Sequence, residues 1–144
     1  MPSLTPLLAN FTPEELNLLS GSGDSRSYAT DETVIAQGED NNHLFLVLKG
    51  QLEVLQDVEG YKKKVATLEA GDSIGEVSVF DPGPASATVR ASSEAEVWRI
   101  TKDSLDRLHQ TNPKVAYRLV TRITTCLSKR LRLMNDKVVD LANR

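Results

Sequence analysis

Between Gly71 and Ala91 the chain reads GDSIGEVSVFDPGPASATVRA, a stretch whose residue types can handle a small anion. Gly71 and Gly75 allow a tight turn and let a ligand approach the backbone where a Cβ would otherwise stand. GEVSVF can open a short helix. Its first N–H groups, from Gly75 through Val77 to Ser78, then have no intrahelical acceptor and lie at the positive end of the helix dipole, which suits a phosphate. Glu76 would repel that anion, so its expected work is to accept a hydrogen bond from a sugar hydroxyl. DPGP is loop by composition, and Ser86 offers a hydroxyl just before the next apolar run. Taken alone, Gly-x-x-x-Gly-Glu in a β-rich chain is also compatible with a purely structural corner.

No competing chemistry is legible. Metal-dependent jelly-roll enzymes need several histidines and a carboxylate around one ion. This chain has two histidines, His43 before a strand and His109 on a helix, and both read as surface or packing residues. Ser78 and Ser86 have no histidine base in any readable motif. The single cysteine, Cys126, falls on a helix near its apolar seam and reads as core or interface. No catalytic residue, metal ligand or cofactor is expected.

The elements that must position this stretch can be read from periodicity. Thr12-Pro13-Glu14-Glu15 starts a helix, with a cap, a proline in the first turn and acids at the positive end of the dipole. Leu16 and Leu19 carry its apolar side, and Gly21 to Gly23 stop it. Short runs then predict strands over Arg26–Tyr28, Thr33–Ala36, His43–Lys49, Gln51–Gln56, Lys63–Leu68, Ser73–Ile74, Ala87–Ala91 and Ala95–Ile100. Glycines 38, 50, 60 and 71 fall at the joints, and VEGYK predicts a hairpin tip at Gly60. Regularly spaced short strands argue for a sandwich, jelly roll or small barrel. TKDSLDRLHQ predicts a short helix capped by Thr101. Asn112 as cap and Pro113 at the first helical position then start a long one, with apolar residues at 116, 120, 123, 127, 131, 134, 138 and 141. That is a heptad seam carrying one extra residue near Leu127 to Leu131. A helix of about 30 residues spans roughly 45 Å, more than a small sandwich can cover. A second copy of the chain, packed about a two-fold axis, is the expected partner.

Charge is unevenly placed. Residues 1–111 hold 9 Lys/Arg and 18 Asp/Glu, a net −9, while residues 112–144 hold 8 and 2, a net +6. The basic tail reads as a solvated helix face or as a contact for an acidic partner, an anionic membrane or nucleic acid. One cysteine, no apolar run of about 18 residues and no basic leader make the cytoplasm the expected compartment, with no transmembrane segment.

The order of these motifs resembles the cyclic nucleotide-binding domain superfamily, the sensor domain of catabolite-activator-type regulators. The residues that carry the likeness are GEDNNHLFLVLKGQLEVL, LEAGDSIGE, GPASATVRASSEAEVWRI and NPKVAYRL, across nearly the whole chain. The resemblance implies a mainly β fold, a jelly-roll β-roll flanked by an N-terminal helix and a long C-terminal dimerisation helix. It divides the chain into residues 1–111, the β-roll with its first helix, and 112–144, the dimerisation helix. It also implies a ligand-binding set of Gly75, Glu76, Val77, Ser78, Ala85, Ser86 and Ala87. Ala85 stands where the family places the arginine that pairs with the cyclic phosphate, so weak or altered ligand binding is expected, of a cyclic nucleotide or another small anion. Neither Arg90, read as a surface strand residue, nor Lys49, read as exposed, is expected to replace that cation. Met134 and Asn135 fall where the family often caps the base, after an extra turn of helix. With Arg144 following the long helix, no helix-turn-helix DNA-binding module is expected. The alternatives are a scaffold or regulatory subunit with a degenerate pocket, acting on a protein partner, and a basic-helix binder of nucleic acid or anionic membrane.

Overall fold

The computed structural model describes residues 11–75 and 84–142. Helix α1 (Pro13–Ser22) starts as its sequence requires: Thr12 Oγ1 accepts from Glu15 N, and Glu15 Oε1 accepts from Thr12 N. This reciprocal box satisfies two N–H groups that a helix start would leave orphaned. Strands β1 (Asp24–Tyr28), β2 (Thr33–Ile35), β3 (His43–Lys49), β4 (Leu52–Val58), β5 (Tyr61–Leu68), β6 (Ser73–Ile74), β7 (Thr88–Ala91) and β8 (Ala95–Thr101) follow. They form two antiparallel sheets, ordered β1-β8-β3-β6 and β2-β7-β4-β5. Helices α2 (Lys102–Thr111) and α3 (Pro113–Ala142) close the chain.

The expected β-roll with flanking helices is what forms, and β3 explains why it has two cores. Its run HLFLVLK is apolar without alternation because both faces are covered. Leu44 and Leu46 pack outward with Trp98, Ile100, Leu19, Leu105, Leu108, Leu119 and Ile123, between the sheet and the helices. Phe45 and Val47 turn inward against Leu52, Leu68, Ile74, Val89, Ala91 and Val97, between the two sheets.

The β4–β5 hairpin turns at Glu59 (φ 51°) and Gly60 (φ 85°). Two successive positive φ values suit the right-handed twist of the flanking strands. Strand β5 is an edge, exposed from Tyr61 to Thr67, and Lys62, Lys63 and Lys64 guard it against pairing with another chain.

Asn112 starts α3 differently from the sequence expectation. Its carbonyl accepts from Val115 and Ala116, as at a helix start, but its side-chain amide donates to Thr111 Oγ1 instead of capping. Helix α3 buries Val115, Ala116, Leu119, Ile123 and Cys126 against the roll. From Leu131 to Ala142 every residue is exposed.

Candidate functional site

The glycine corner is built from main-chain bonds. Gly71 N donates to Val47 O (2.9 Å), Val47 N donates to Asp72 O (2.9 Å), and Asp72 Oδ2 accepts from Glu69 N (2.8 Å). These bonds fasten the β5–β6 turn to β3, and Phe45 and Leu46 then pair with Ile74 and Ser73. Gly75 ends this run at φ 85°, its Cα against the His43 carbonyl so closely that a Cβ would overlap it. Both the dihedral and the space demand glycine here.

The opposite side is a short bridge between the chain after β2 and the chain before β7. Asp40 pairs with Pro84, Gly38 N donates to Ala85 O (2.8 Å), and Ala85 N donates to Glu39 O (2.9 Å). Both backbone polar groups of Ala85 are thereby used. The residue is 9% exposed and belongs to the apolar cluster of Ile35, Phe45, Ile74 and Val89. Gly75, through its neighbour Ile74, and Ala85 thus border the same inner core. Ser86 is exposed, Ala87 is half-buried, and the strand begins at Thr88, whose Oγ1 accepts from Gln37 N (3.0 Å). Glu76, Val77 and Ser78 lie outside the described residues.

The two cations weighed from the sequence, Lys49 and Arg90, are both placed by the fold. Lys49 is exposed at the end of β3. Arg90 is more enclosed than a free surface residue: its Nε and Nη2 both reach Glu53 Oε1, at 2.8 and 2.6 Å. The pair is directly cross-strand, on the face opposite inward-facing Val89 and Ala91.

A third cation, which the sequence reading did not single out, lies at the corner itself. Arg122 of α3 donates through Nη2 to Gly71 O (3.1 Å), beside Cys126, whose Sγ is 3.5 Å from the same oxygen. The signal was available. Positions 115, 119, 122 and 126 recur at helical spacing, so Arg122 belongs to the stripe that faces the roll. Arg118, one turn earlier, reaches Glu15 Oε1 (2.8 Å) and stacks its guanidinium 5.9 Å from the Phe11 ring centre.

Two titrations are shifted near these elements. The Thr12 amide, followed by the Arg118 charge, holds Glu15 below the ordinary carboxylate value. Burial, followed by the Arg99 guanidinium, holds His43 below its usual 6.5. Among the described residues no His/Cys/Asp/Glu cluster suits a metal ion, and no helix is long and apolar enough to cross a membrane.

Comparison with known proteins bears on the family and the fold. The family model for the cyclic nucleotide-binding domain matches residues 25–112. The cAMP-activated global transcriptional regulator CRP of Salmonella typhimurium is 36% identical over 117 residues, covering 80% of this chain and 54% of that protein. The cAMP-dependent protein kinase regulatory subunit of Emericella nidulans is 29% identical over 103 residues, covering 72% of this chain and 24% of that protein. The chain therefore spans about half, or less, of the length of these relatives. In fold, a cyclic nucleotide-binding domain from Methylobacillus flagellatus superimposes with a TM-score of 0.88 at 24% identity, over 96% of this chain and 82% of its own.

Proposed function

The chain belongs to the cyclic nucleotide-binding domain family, and we propose that it is a non-catalytic, cytoplasmic sensor or regulatory domain whose pocket binds cyclic nucleotides weakly or selects a different small anion. The division of labour we propose is sensing by residues 1–111 and dimerisation by residues 112–144. The observation that carries this reading is Ala85. Its methyl lies in apolar surroundings and its N–H and C=O are both engaged, so position 85 offers an incoming phosphate neither charge nor donor. A phosphate leaving water for such a wall needs a compensating group. Loss of a charge-assisted bond worth about 1.5–3 kcal/mol lowers affinity by roughly ten- to several-hundred-fold. The proposed binding set remains Gly75, Glu76, Val77, Ser78, Ala85, Ser86 and Ala87.

Calorimetry with cyclic AMP and cyclic GMP tests this. Weak or absent binding to the wild type, with improved affinity in Ala85→Arg, is expected. Tight wild-type binding would show that Ala85 does not set the affinity.

A second reading, a scaffold that acts through protein contacts, is favoured by the exposed seam on α3. Leu131, Met134, Val138 and Leu141 are each at least 59% exposed. We propose that this seam pairs two copies of the chain. The nucleic-acid or membrane reading gains less support, because Arg118 and Arg122 of the basic helix are directed at Glu15 and Gly71.

A further inference from the structure

Helix α1 runs antiparallel along α3. Its start lies beside Arg118, where Glu15 Oε1 accepts from the guanidinium (2.8 Å) and the Phe11 ring centre lies 5.9 Å from it. Its last turn, through Leu18, Gly21 and Ser22, shares a small cavity with Thr111 and Asn112, just ahead of α3. The chain preceding Phe11, continued in the line of α1, therefore heads toward Thr121 and Thr125 and away from Pro113. Thr121 and Thr125 stand three and seven residues beyond Arg118, so they lie on its side of the helix.

That side carries a shallow groove of about 480 Å³, lined by Tyr117, Val120, Thr121, Thr124, Thr125 and Ser128 among others. Tyr117 is 72% exposed. The hydroxyls of Thr121, Thr124 and Thr125 donate to the carbonyls of Tyr117, Val120 and Thr121, at 2.8, 2.8 and 2.9 Å. With those donors spent on the helix itself, what the threonines offer a neighbour is methyl. The groove is polar by composition and apolar in what it can bind. Residues 1–10 read MPSLTPLLAN, with no charged side chain and with the pair Leu7-Leu8. From Phe11 back to Leu7 an extended chain reaches about 13 Å. From Arg118 to Thr125 is about 10 Å along the helix.

We infer that residues 1–10 dock in this groove, with Leu7 and Leu8 over Thr121 and Thr125. The occupant is the chain's own N-terminal segment because Phe11 already fixes its point of entry on α3, and an uncharged leucine pair suits a methyl-lined groove. Thr125 lies two residues from Leu127, hence on the opposite side of the helix, so this docking leaves the apolar seam open.

Disulfide trapping in the full chain tests this, with Cys126→Ser removing the native thiol. Leu7→Cys with Thr125→Cys should close an intrachain bond under mild oxidant in most molecules, since such a bond needs Cα atoms about 4.4–6.8 Å apart. Leu7→Cys with Lys114→Cys is the counterpart, because Lys114 lies on the same side of α3, one turn the other way from Arg118. It should close about ten-fold more slowly, the docked segment having a low effective concentration there. Equal rates would mean an undocked segment, and a bond between two chains would assign the groove to a second copy. Either result overturns the inference, as does no bond at Thr125. A second measurement keeps Cys126: Leu7→Asp with Leu8→Asp should lower the melting temperature by about 3–6 °C. An unchanged melting temperature would also overturn the docking.

Discussion

Gly75 and His43 meet backbone to backbone: the glycine Cα lies so near the His43 carbonyl that no side chain fits between them, and its φ is 85°. Gly38 has the same φ of 85° but open space around it. The two therefore separate dihedral strain from collision. Gly38→Ala should cost about 1 kcal/mol, the dihedral alone. Gly75→Ala should cost roughly 2–4 kcal/mol, because the β3 backbone must also move. Urea unfolding of both variants checks this, and equal losses would mean the corner yields freely.

Ala85→Arg should destabilise the ligand-free protein even as it improves binding. A guanidinium forced into the cluster of Ile35, Phe45 and Val89 meets apolar side chains among the described residues. The expected cost is roughly 2–4 kcal/mol, seen as a lower melting temperature that millimolar cyclic AMP restores. An unchanged melting temperature would mean the new side chain escapes to solvent.

Arg90 and Glu53 should prove structural. The pair is cross-strand, with side chains 34% and 14% exposed, so a double-mutant cycle with Arg90→Leu and Glu53→Leu should give a coupling of about 1 kcal/mol. Ligand affinity should not move. A selective loss of cyclic AMP affinity in Arg90→Leu would return Arg90 to the site.

The exposed half of α3 should hold two copies together. Val138→Asp places a charge in the seam, 65% exposed in the single chain. Sedimentation should show a dimer for the wild type and a monomer for this variant. The wild-type melting temperature should rise with protein concentration. A wild-type monomer at every concentration would contradict the pairing.

Stability should fall on the acid side in two steps. The folded chain protonates His43 less readily than the unfolded chain does, so below about pH 6.5 the unfolded state takes up more protons and stability declines. Glu15 has a folded value below its ordinary 4.5, so its contribution is present above 4.5 and is lost as pH falls through the folded value. Urea midpoints measured across this range should flatten near pH 6 in His43→Gln and below pH 4.5 in Glu15→Gln. A midpoint that rises with acid would have the wrong sign.

Much of the architecture was legible in the residues because it depends on local physics. Thr12 and Glu15 cap a helix through atoms three residues apart. Gly60 permits a hairpin that few other residues would. Period-two and period-three-four spacing separate the roll from α3, and the Gly71–Gly75 corner needs positive φ whatever surrounds it. Strand ends moved by one or two residues, as at Tyr61 and Val58, because pairing across the hairpin extends strands past their apolar stretch. What the tertiary structure alone decided is which side chains meet across distance in the chain. Arg90 and Glu53 are 37 residues apart, Gly71 and Arg122 are 51 apart. No local propensity links such residues. Their meeting follows from how two sheets and a helix share one apolar interior, and that depends on the packing of the whole chain.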